Sequence, residues 1–303
     1  MREFTFIIEK EDENLSIRKM IKRHLHFSSR LLAKLKAQKR VFLNGTPIEG
    51  YMKYKAGDEI RIVLPEEASH FPPEDIPIDV ILEDEDIMVV NKQAGVTVHP
   101  TKGHSMHTIA NGLMKYMQDT GKPFKIRFVN RLDMDTSGLL IVGKNSNAQD
   151  NLVGQMSRGE LEKYYTAILC GIVEEDSLTI DEPIGHPEPE QVSRRVVHDG
   201  SGRPSVTHLK VLKRFSSGFT LVRLKLETGR THQIRVHTSY IGHPVAGDPL
   251  YGGETPGLID RQALHASSLT FHHPVTGERI HAEAPLPEDM EEMLKQISSS
   301  DQA

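Results

Sequence analysis

Asp133 and Asp135 stand two residues apart in Phe128-Val-Asn-Arg-Leu-Asp-Met-Asp-Thr-Ser-Gly-Leu-Leu-Ile-Val-Gly-Lys144. Arg131 precedes them, Gly138 follows, and Leu139-Leu-Ile-Val142 then has strand character. A carboxylate at such a junction is well placed for chemistry, because the strand is rigid and the turn is reachable. The same residues also suit an Asp/Ser/Gly turn whose side chains cap their own backbone.

A second polar cluster lies in Glu227-Thr-Gly-Arg-Thr-His-Gln-Ile-Arg-Val-His237. Arg230, His232, Gln233, Arg235 and His237 make this turn too polar for a core; a phosphate or carboxylate partner would explain them, as would a solvated helix start. Several other chemistries fail. Asp133 and Asp135 could ligate Mg²⁺, but no second acidic motif of suitable type accompanies them. Asp135-Thr-Ser-Gly138 has the look of an aspartic protease motif without its paired copy. Gly138 to Asn145 nearly spells a phosphate-binding loop, yet its interior is apolar and β-branched, and Asn145 replaces the hydroxyl residue. His232, His237 and His243 come without an HExxH or cysteine cluster, so no metal and no cofactor is expected. Cys170, the single cysteine, lies in an apolar run and reads as a small buried residue in a reducing compartment.

Strands must position these groups. Val80-Ile-Leu82, Ile87-Met-Val-Val90, Glu162 to Gly171 and Gly202 to Leu212 all read as strands, and a helix is expected around His107 to Met117. Phe219 to Leu226 alternates, with Val222, Leu224 and Leu226 on one face and Arg223 and Lys225 on the other. Lys92 and Gly95 suggest a turn that approaches something closely. The 303 residues, 37% hydrophobic and 26% charged, suit a globular protein of two domains. No run approaches the ~18 apolar residues of a membrane span, and the N-terminus lacks a signal-peptide core. A cytoplasmic protein is expected.

The formal net charge of -5 hides segregation. From Leu15 to Leu64, twelve Lys and Arg residues oppose three acids, a local charge of +9; from Pro65 to Asp86, nine acids stand without a Lys or Arg. The local field decides what a polyanion meets, so the first block reads as a phosphate-binding module. Leu15 to Phe27 has near-helical apolar spacing. Ser28 or Ser29 can cap a second helix crowded by Arg30, Lys34, Lys36, Lys39 and Arg40. Asn44-Gly45 then signals a hairpin between Val41-Phe-Leu43 and Thr46-Pro-Ile48, and Glu59 to Val63 alternates as a strand.

This N-terminal stretch, with "RVFLNG" and "GDEIRI", resembles the S4 RNA-binding domain, although Leu15-Ser-Ile-Arg18 replaces its usual Arg-Leu-Asp opening. "RLDMDTSGLLIVGK", "EKYYTAILCG", "LETGRTHQIRVH" and "GHPVAGDPLYG", in this order, resemble the RluA/RluD-type pseudouridine synthases. The likeness runs from about residue 12 to residue 285. It implies isomerisation of uridine to pseudouridine in structured RNA, without metal or organic cofactor. It also implies an α+β fold: a curved, mostly antiparallel mixed sheet behind a small N-terminal α/β S4-like domain.

Residue by residue, the resemblance makes Asp133 the catalytic carboxylate. It makes Arg235 the partner that keeps this acid charged and aimed, and Tyr165 the ring that packs on the target base, with Lys163 beside it. Tyr164 would face the other way. Arg131 would enter the RNA stack as the uridine flips, offsetting part of that cost. Arg230, His232 and Gln233, with Lys34, Lys36 and Lys39, would contact substrate. Two positions depart from the pattern: Asn130 replaces the usual histidine before Arg-Leu-Asp, and Gln93 replaces proline after Lys92. The expected divisions are 1–64, S4-like; 65–78, an acidic linker; 79–287, catalytic; and 288–303, an acidic tail. Large-subunit ribosomal RNA is the leading expected partner, with transfer RNA second, for a monomer that meets no membrane. The competing reading is a non-catalytic RNA-binding or ribosome-assembly factor; the joint presence of Asp133, Tyr165 and Arg235 favours the enzyme.

Overall fold

A computed structural model describes residues 2–101, 105–186, 188 and 190–299. The described residues form two β-sheets with separate cores and a short two-stranded ribbon. The first sheet holds β1 (Glu3–Ile7), β2 (Val41–Leu43), β3 (Thr46–Pro47) and β4 (Glu59–Val63) in the order β1-β4-β2-β3. Helices α1 (Ile17–Leu25) and α2 (Ser29–Ala37) cover it. Ser16 caps α1, and Ser28 caps α2 by accepting the Leu31 N–H at 3.1 Å. Asn44 and Gly45 both have positive φ, as the tight β2–β3 turn requires. Met20, Ile21, Leu32, Leu35, Ile60 and Ile62 fill this core. Lys34, Lys36 and Lys39 stay exposed.

The large sheet contains β5 (Asp79–Glu83), β6 (Ile87–Lys92), β7 (Arg127–Phe128), β8 (Ser137–Gly143), β9 (Glu162–Cys170), β10 (Ser177–Asp181), β13 (Val206–Phe215), β14 (Phe219–Leu226), β15 (Leu264–His272) and β16 (Arg279–Glu283). Its main path is β10-β13-β14-β9-β15-β8-β6-β5, with β16 on β15 and β7 on β8. The ribbon pairs β11 (Ile184–Gly185) with β12 (Arg195–Val196). Among the described residues every pairing in the large sheet is antiparallel except β8 with β15, so it is mixed, mostly antiparallel and open, within an α+β fold.

The apolar runs of β6 and β8 are buried on both faces, which is why they read as continuous rather than alternating. Met88, Val90, Leu140 and Val142 face the core shared with α3 (Ile109–Thr120); Ile87, Val89, Leu139 and Ile141 face that of α4 (Ser146–Ser157). At the parallel junction Ala266 of β15 lies opposite Gly138 of β8. A Cβ on Gly138 would stand 2.3 Å from the Ala266 carbonyl oxygen, and φ there is +108°, so only glycine fits.

Two segments differ from the sequence reading. Residues 65–78 have no helix or strand, yet they form a strap rather than a free linker. Phe71 and Ile78 pack on the main core, Asn111 donates to the Pro72 carbonyl at 2.8 Å, and Glu67 pairs with Arg127. The proline spacing hid these contacts because they are made with distant residues. The expected acidic tail contains a docked helix, α6 (Glu288–Ser299). Its Met290, Met293 and Ile297 enter the main core, while Asp289 receives two hydrogen bonds from Arg261. Glu288, Glu291 and Glu292 stay exposed, and these acids masked the apolar stripe. The two sheets meet through Arg2, which pairs with Glu85 and grips Asp86 at 2.8 and 3.1 Å, and through Ser28, which donates to Asp150 at 2.8 Å.

His265, beside that parallel junction, is buried between Ser137 Oγ at 2.9 Å and the Ala284 carbonyl. Burial pushes its pKa down to about 4. Because the folded value lies below the unfolded one, unfolding takes up a proton as the pH falls through about 6.5 toward 4, and stability is lost there. Lowering the pH from 7 to 5 is expected to cost about 2 kcal/mol through this residue alone. Urea titration at both pH values checks it; a His265→Asn variant with the same pH dependence as wild type would sink it.

Candidate active site

Asp133 lies in the loop that feeds β8, and buried cross-links hold that loop. Thr136 N–H donates to the Asp133 carbonyl at 3.2 Å. The Lys92 ammonium, 1% exposed, donates to the carbonyls of Gln93, Val96 and Met134, each at 2.8 Å. Burial pulls the Lys92 pKa to about 7, opposed chiefly by the Asp135 charge. Three carbonyl partners match the three donors of an ammonium, so the geometry is that of the charged form. Arg261 donates to the Asp135 carbonyl at 3.0 Å. Asn130 is also buried: its amide donates to Leu139 O at 3.1 Å and accepts Ile141 N–H at 2.8 Å. At this position, where the sequence departs from the pattern it resembles, the side chain is a clamp within the protein.

The two aspartates separate. Asp133 opens into a cleft lined by Arg131, Tyr165, Leu226, Arg230, His232, Gln233 and Arg235, among others, whereas Asp135 faces a different cavity beside Arg261 and Asp289. Arg235 comes from α5 (Gln233–Tyr240) and reaches across 102 positions to Asp133: Nη1 lies 3.3 Å from Oδ2. Its stronger partner is Asp248, fully buried, which receives Nε at 2.6 Å and Nη2 at 2.8 Å. Burial would lower the Arg235 pKa, but hydrogen bonding and charge from Asp248, then Asp133, raise it. The Arg235 guanidinium also lies 5.0 Å from the centre of the Tyr251 ring.

The polar turn that reads as unfit for a core is largely buried. Gln233 accepts from Thr228 Oγ1 and Arg230 N–H and donates to Val206 O; His237 bonds Thr207 and the Glu182 carbonyl. Complete hydrogen bonding is what makes that burial tolerable. Gln233 is thereby committed to the fold, although it touches the cleft. Arg230 spends its Nε on Pro204 O at 3.1 Å. Arg131 is exposed at the rim and has no protein partner among the described residues.

On β9 the alternation carries Lys163, Tyr165 and Ala167 to the buried face. Tyr164 takes the opposite face, under Arg223 at 4.1 Å. Burial, aided by the Asp133 charge, raises the Tyr165 pKa, so its phenol stays protonated at neutral pH. Lys163 is 6% exposed, its pKa lowered by burial, with no partner among the described residues. His232 has φ 58° and precedes α5; burial lowers its pKa against the pull of Asp133, with Arg235 and Arg194 adding to the lowering. Cys170 is half-buried and its thiol is pushed up by burial.

Comparison with known proteins bears on this arrangement. Residues 86–240 match the RNA pseudouridylate synthase family, and residues 4–60 match the N-terminal domain of RluD ribosomal pseudouridine synthases. The chain belongs to the RNA pseudouridylate synthase family. A Bacillus subtilis relative named uncharacterized RNA pseudouridine synthase YlyB is 45% identical, over 85% of this chain and 86% of that one. Ribosomal large subunit pseudouridine synthase D of Escherichia coli K12 is 39% identical, over 84% and 82%. The solved human RNA pseudouridylate synthase domain containing 1 aligns with a TM-score of 0.56 at 31% identity, covering 71% of this chain and 86% of that one.

Within this pseudouridylate synthase, sequence reasoning missed Asp248, Tyr251 and the buried role of Lys92. Asp248 and Tyr251 both lie in the "GHPVAGDPLYG" stretch, in a loop without periodicity; only their contacts with Arg235 and His232 reveal them. Because Arg235 holds a fully buried carboxylate, Arg235→Leu is expected to destabilise the fold by about 3–5 kcal/mol. Arg235→Lys should recover only part, since a single ammonium cannot reproduce the two-pronged hold on Asp248. Denaturant unfolding of both variants decides; a Leu variant within about 1 kcal/mol of wild type contradicts the assignment.

Proposed function

We propose that this enzyme isomerises uridine in large-subunit ribosomal RNA, with Asp133 as the reacting carboxylate. The observation that carries the reading is an accessible carboxylate beside a fixed guanidinium and a protonated tyrosine in one cleft. Breaking the bond between N1 and C1′ leaves the sugar carbon electron-poor; an anion held there stabilises or traps it. The base then turns and C5 bonds to C1′, while C5 gives up its proton and N1 gains one. Tyr165 packs on the base as a neutral phenol, and Arg235 aims Asp133. Arg131, free at the rim, takes the space left as the nucleotide leaves its stack, with Arg230, His232 and Lys163 around the entering nucleotide.

Ribosomal RNA is favoured over transfer RNA by the likeness to an RluD-type N-terminal domain and to a large-subunit synthase. Residues 1–64 act as the docking module and 79–287 as the catalytic part, in a monomer working in the cytoplasm. Pseudouridine mapping of total RNA from a deletion strain identifies the uridine; loss confined to transfer RNA would redirect the substrate assignment.

Asp133→Asn is expected to fold, bind RNA and release no tritium from uridine labelled at C5, because an amide cannot supply the anion. Normal turnover would overturn the role of Asp133. Replacing the exposed Lys34, Lys36 and Lys39 with Gln should weaken RNA binding and flatten the slope of log K against log salt by about 2–3. A slope equal to that of wild type would place the RNA elsewhere.

A further inference from the structure

Tyr251 determines where the His232 imidazole carries its proton. The phenol oxygen accepts the Arg194 backbone N–H at 2.8 Å and lies 2.9 Å from His232 Nδ1. Burial keeps that phenol protonated. Its O–H therefore needs an acceptor, and among the described residues Nδ1 is the one in reach. A neutral imidazole that accepts at Nδ1 carries its hydrogen on Nε2. Nε2 in turn faces Asp133 Oδ2 across 3.9 Å, too far for a direct hydrogen bond. The ring is held edge-on against Tyr251, with centroids 5.7 Å apart, by a backbone in the left-handed region.

A donor and an acceptor separated by such a gap suit one hydroxyl group. Its oxygen can accept from Nε2–H while its hydrogen goes to Oδ2, both at ordinary hydrogen-bond lengths. We propose that His232 and Asp133 jointly bind the ribose 2′-hydroxyl of the target uridine, so that the site reads an RNA sugar directly. Tyr251 is the positioning residue, acting by setting the tautomer. The inference rests on Asp133 being the reacting carboxylate: C2′ adjoins C1′, so a carboxylate placed at C1′ has the 2′-hydroxyl within reach. The 2′-hydroxyl is also what separates RNA from DNA at a given site.

The test uses a synthetic hairpin around the mapped uridine, tritiated at C5, with ribose or 2′-deoxyribose at that single position. Wild type is expected to favour ribose by about 10–100-fold in kcat/KM, as for loss of hydrogen bonds to a charged and a neutral partner. Asparagine tolerates positive φ, so His232→Asn keeps the backbone while removing the donor at the Nε2 position. It should convert the ribose hairpin about tenfold more slowly and bring the ribose preference toward one. Tyr251→Phe retains the imidazole but frees its tautomer. An intermediate preference is expected, with the His232 ¹⁵N signals moving from Nε2–H toward a mixture. A wild type indifferent to the sugar, a His232→Asn variant with undiminished preference, or a Tyr251→Phe variant with unchanged preference and ¹⁵N signals overturns the inference. Asp133→Asn separates the two levels: if it is inactive while those results fail, the hydroxyl contact alone falls; if it turns over normally, the catalytic reading falls first and takes this inference with it.

Discussion

One guanidinium holds two carboxylates, and the site depends on it. Asp248 is wholly buried, and a charge there is tolerable only if paired and hydrogen-bonded; Arg235 supplies the opposite charge and two bonds, and the Leu250 N–H a third. Its remaining Nη1 hydrogens are directed at Asp133, the carboxylate that opens to the cleft. Asp248 fixes the arginine and the arginine fixes Asp133, so the exposed acid inherits the rigidity of the buried one. An Arg–Asp pair alone would leave a long side chain free to follow its partner into solvent.

The same division recurs around the cleft. The backbone of the Asp133 loop is tied by Lys92 and Arg261, and Asn130 ties the residues before it to β8; none of the three lines the cleft. Gln233 and His237 tie α5 to β13 by side-chain hydrogen bonds. Buried polar groups therefore set the positions, while Arg131 at the rim and the lysines of α2 remain solvated. The arrangement suits a macromolecular substrate: a small site held by buried hydrogen bonds for one nucleotide, and exposed long cations for a polyanion whose phosphates allow many approaches.

The two sheets also divide the charge. The basic helices sit on the first sheet, and the acids that follow it are engaged elsewhere: Asp86 and Glu85 by Arg2, Glu83 by Lys144, Glu67 by Arg127. Intramolecular pairing consumes much of the negative block near the junction. Lys34, Lys36 and Lys39 stay exposed, so a whole-chain charge of -5 understates what RNA would meet.

Much was legible from the chain alone, wherever a local rule governs. Ser28 as a cap, the Asn44-Gly45 hairpin, the strand after Asp133 and the alternation from Phe219 to Leu226 follow from short-range sterics and period-two burial. The nearness of Asp133, Tyr165 and Arg235 was legible only through ordered motifs resembling a known family, since no local rule joins residues 102 positions apart. Tertiary structure decided the rest. Asp248 is a core charge because Arg235 meets it; in isolation it is a loop aspartate. The acids of α6 suggested a tail, although three apolar residues dock it. Lys92 became a loop clamp and Asn130 a strand clamp through carbonyls supplied from elsewhere in the chain. A sequence states which polar groups exist; burial requires each to find a partner, and only the packed fold brings those partners within about 3 Å.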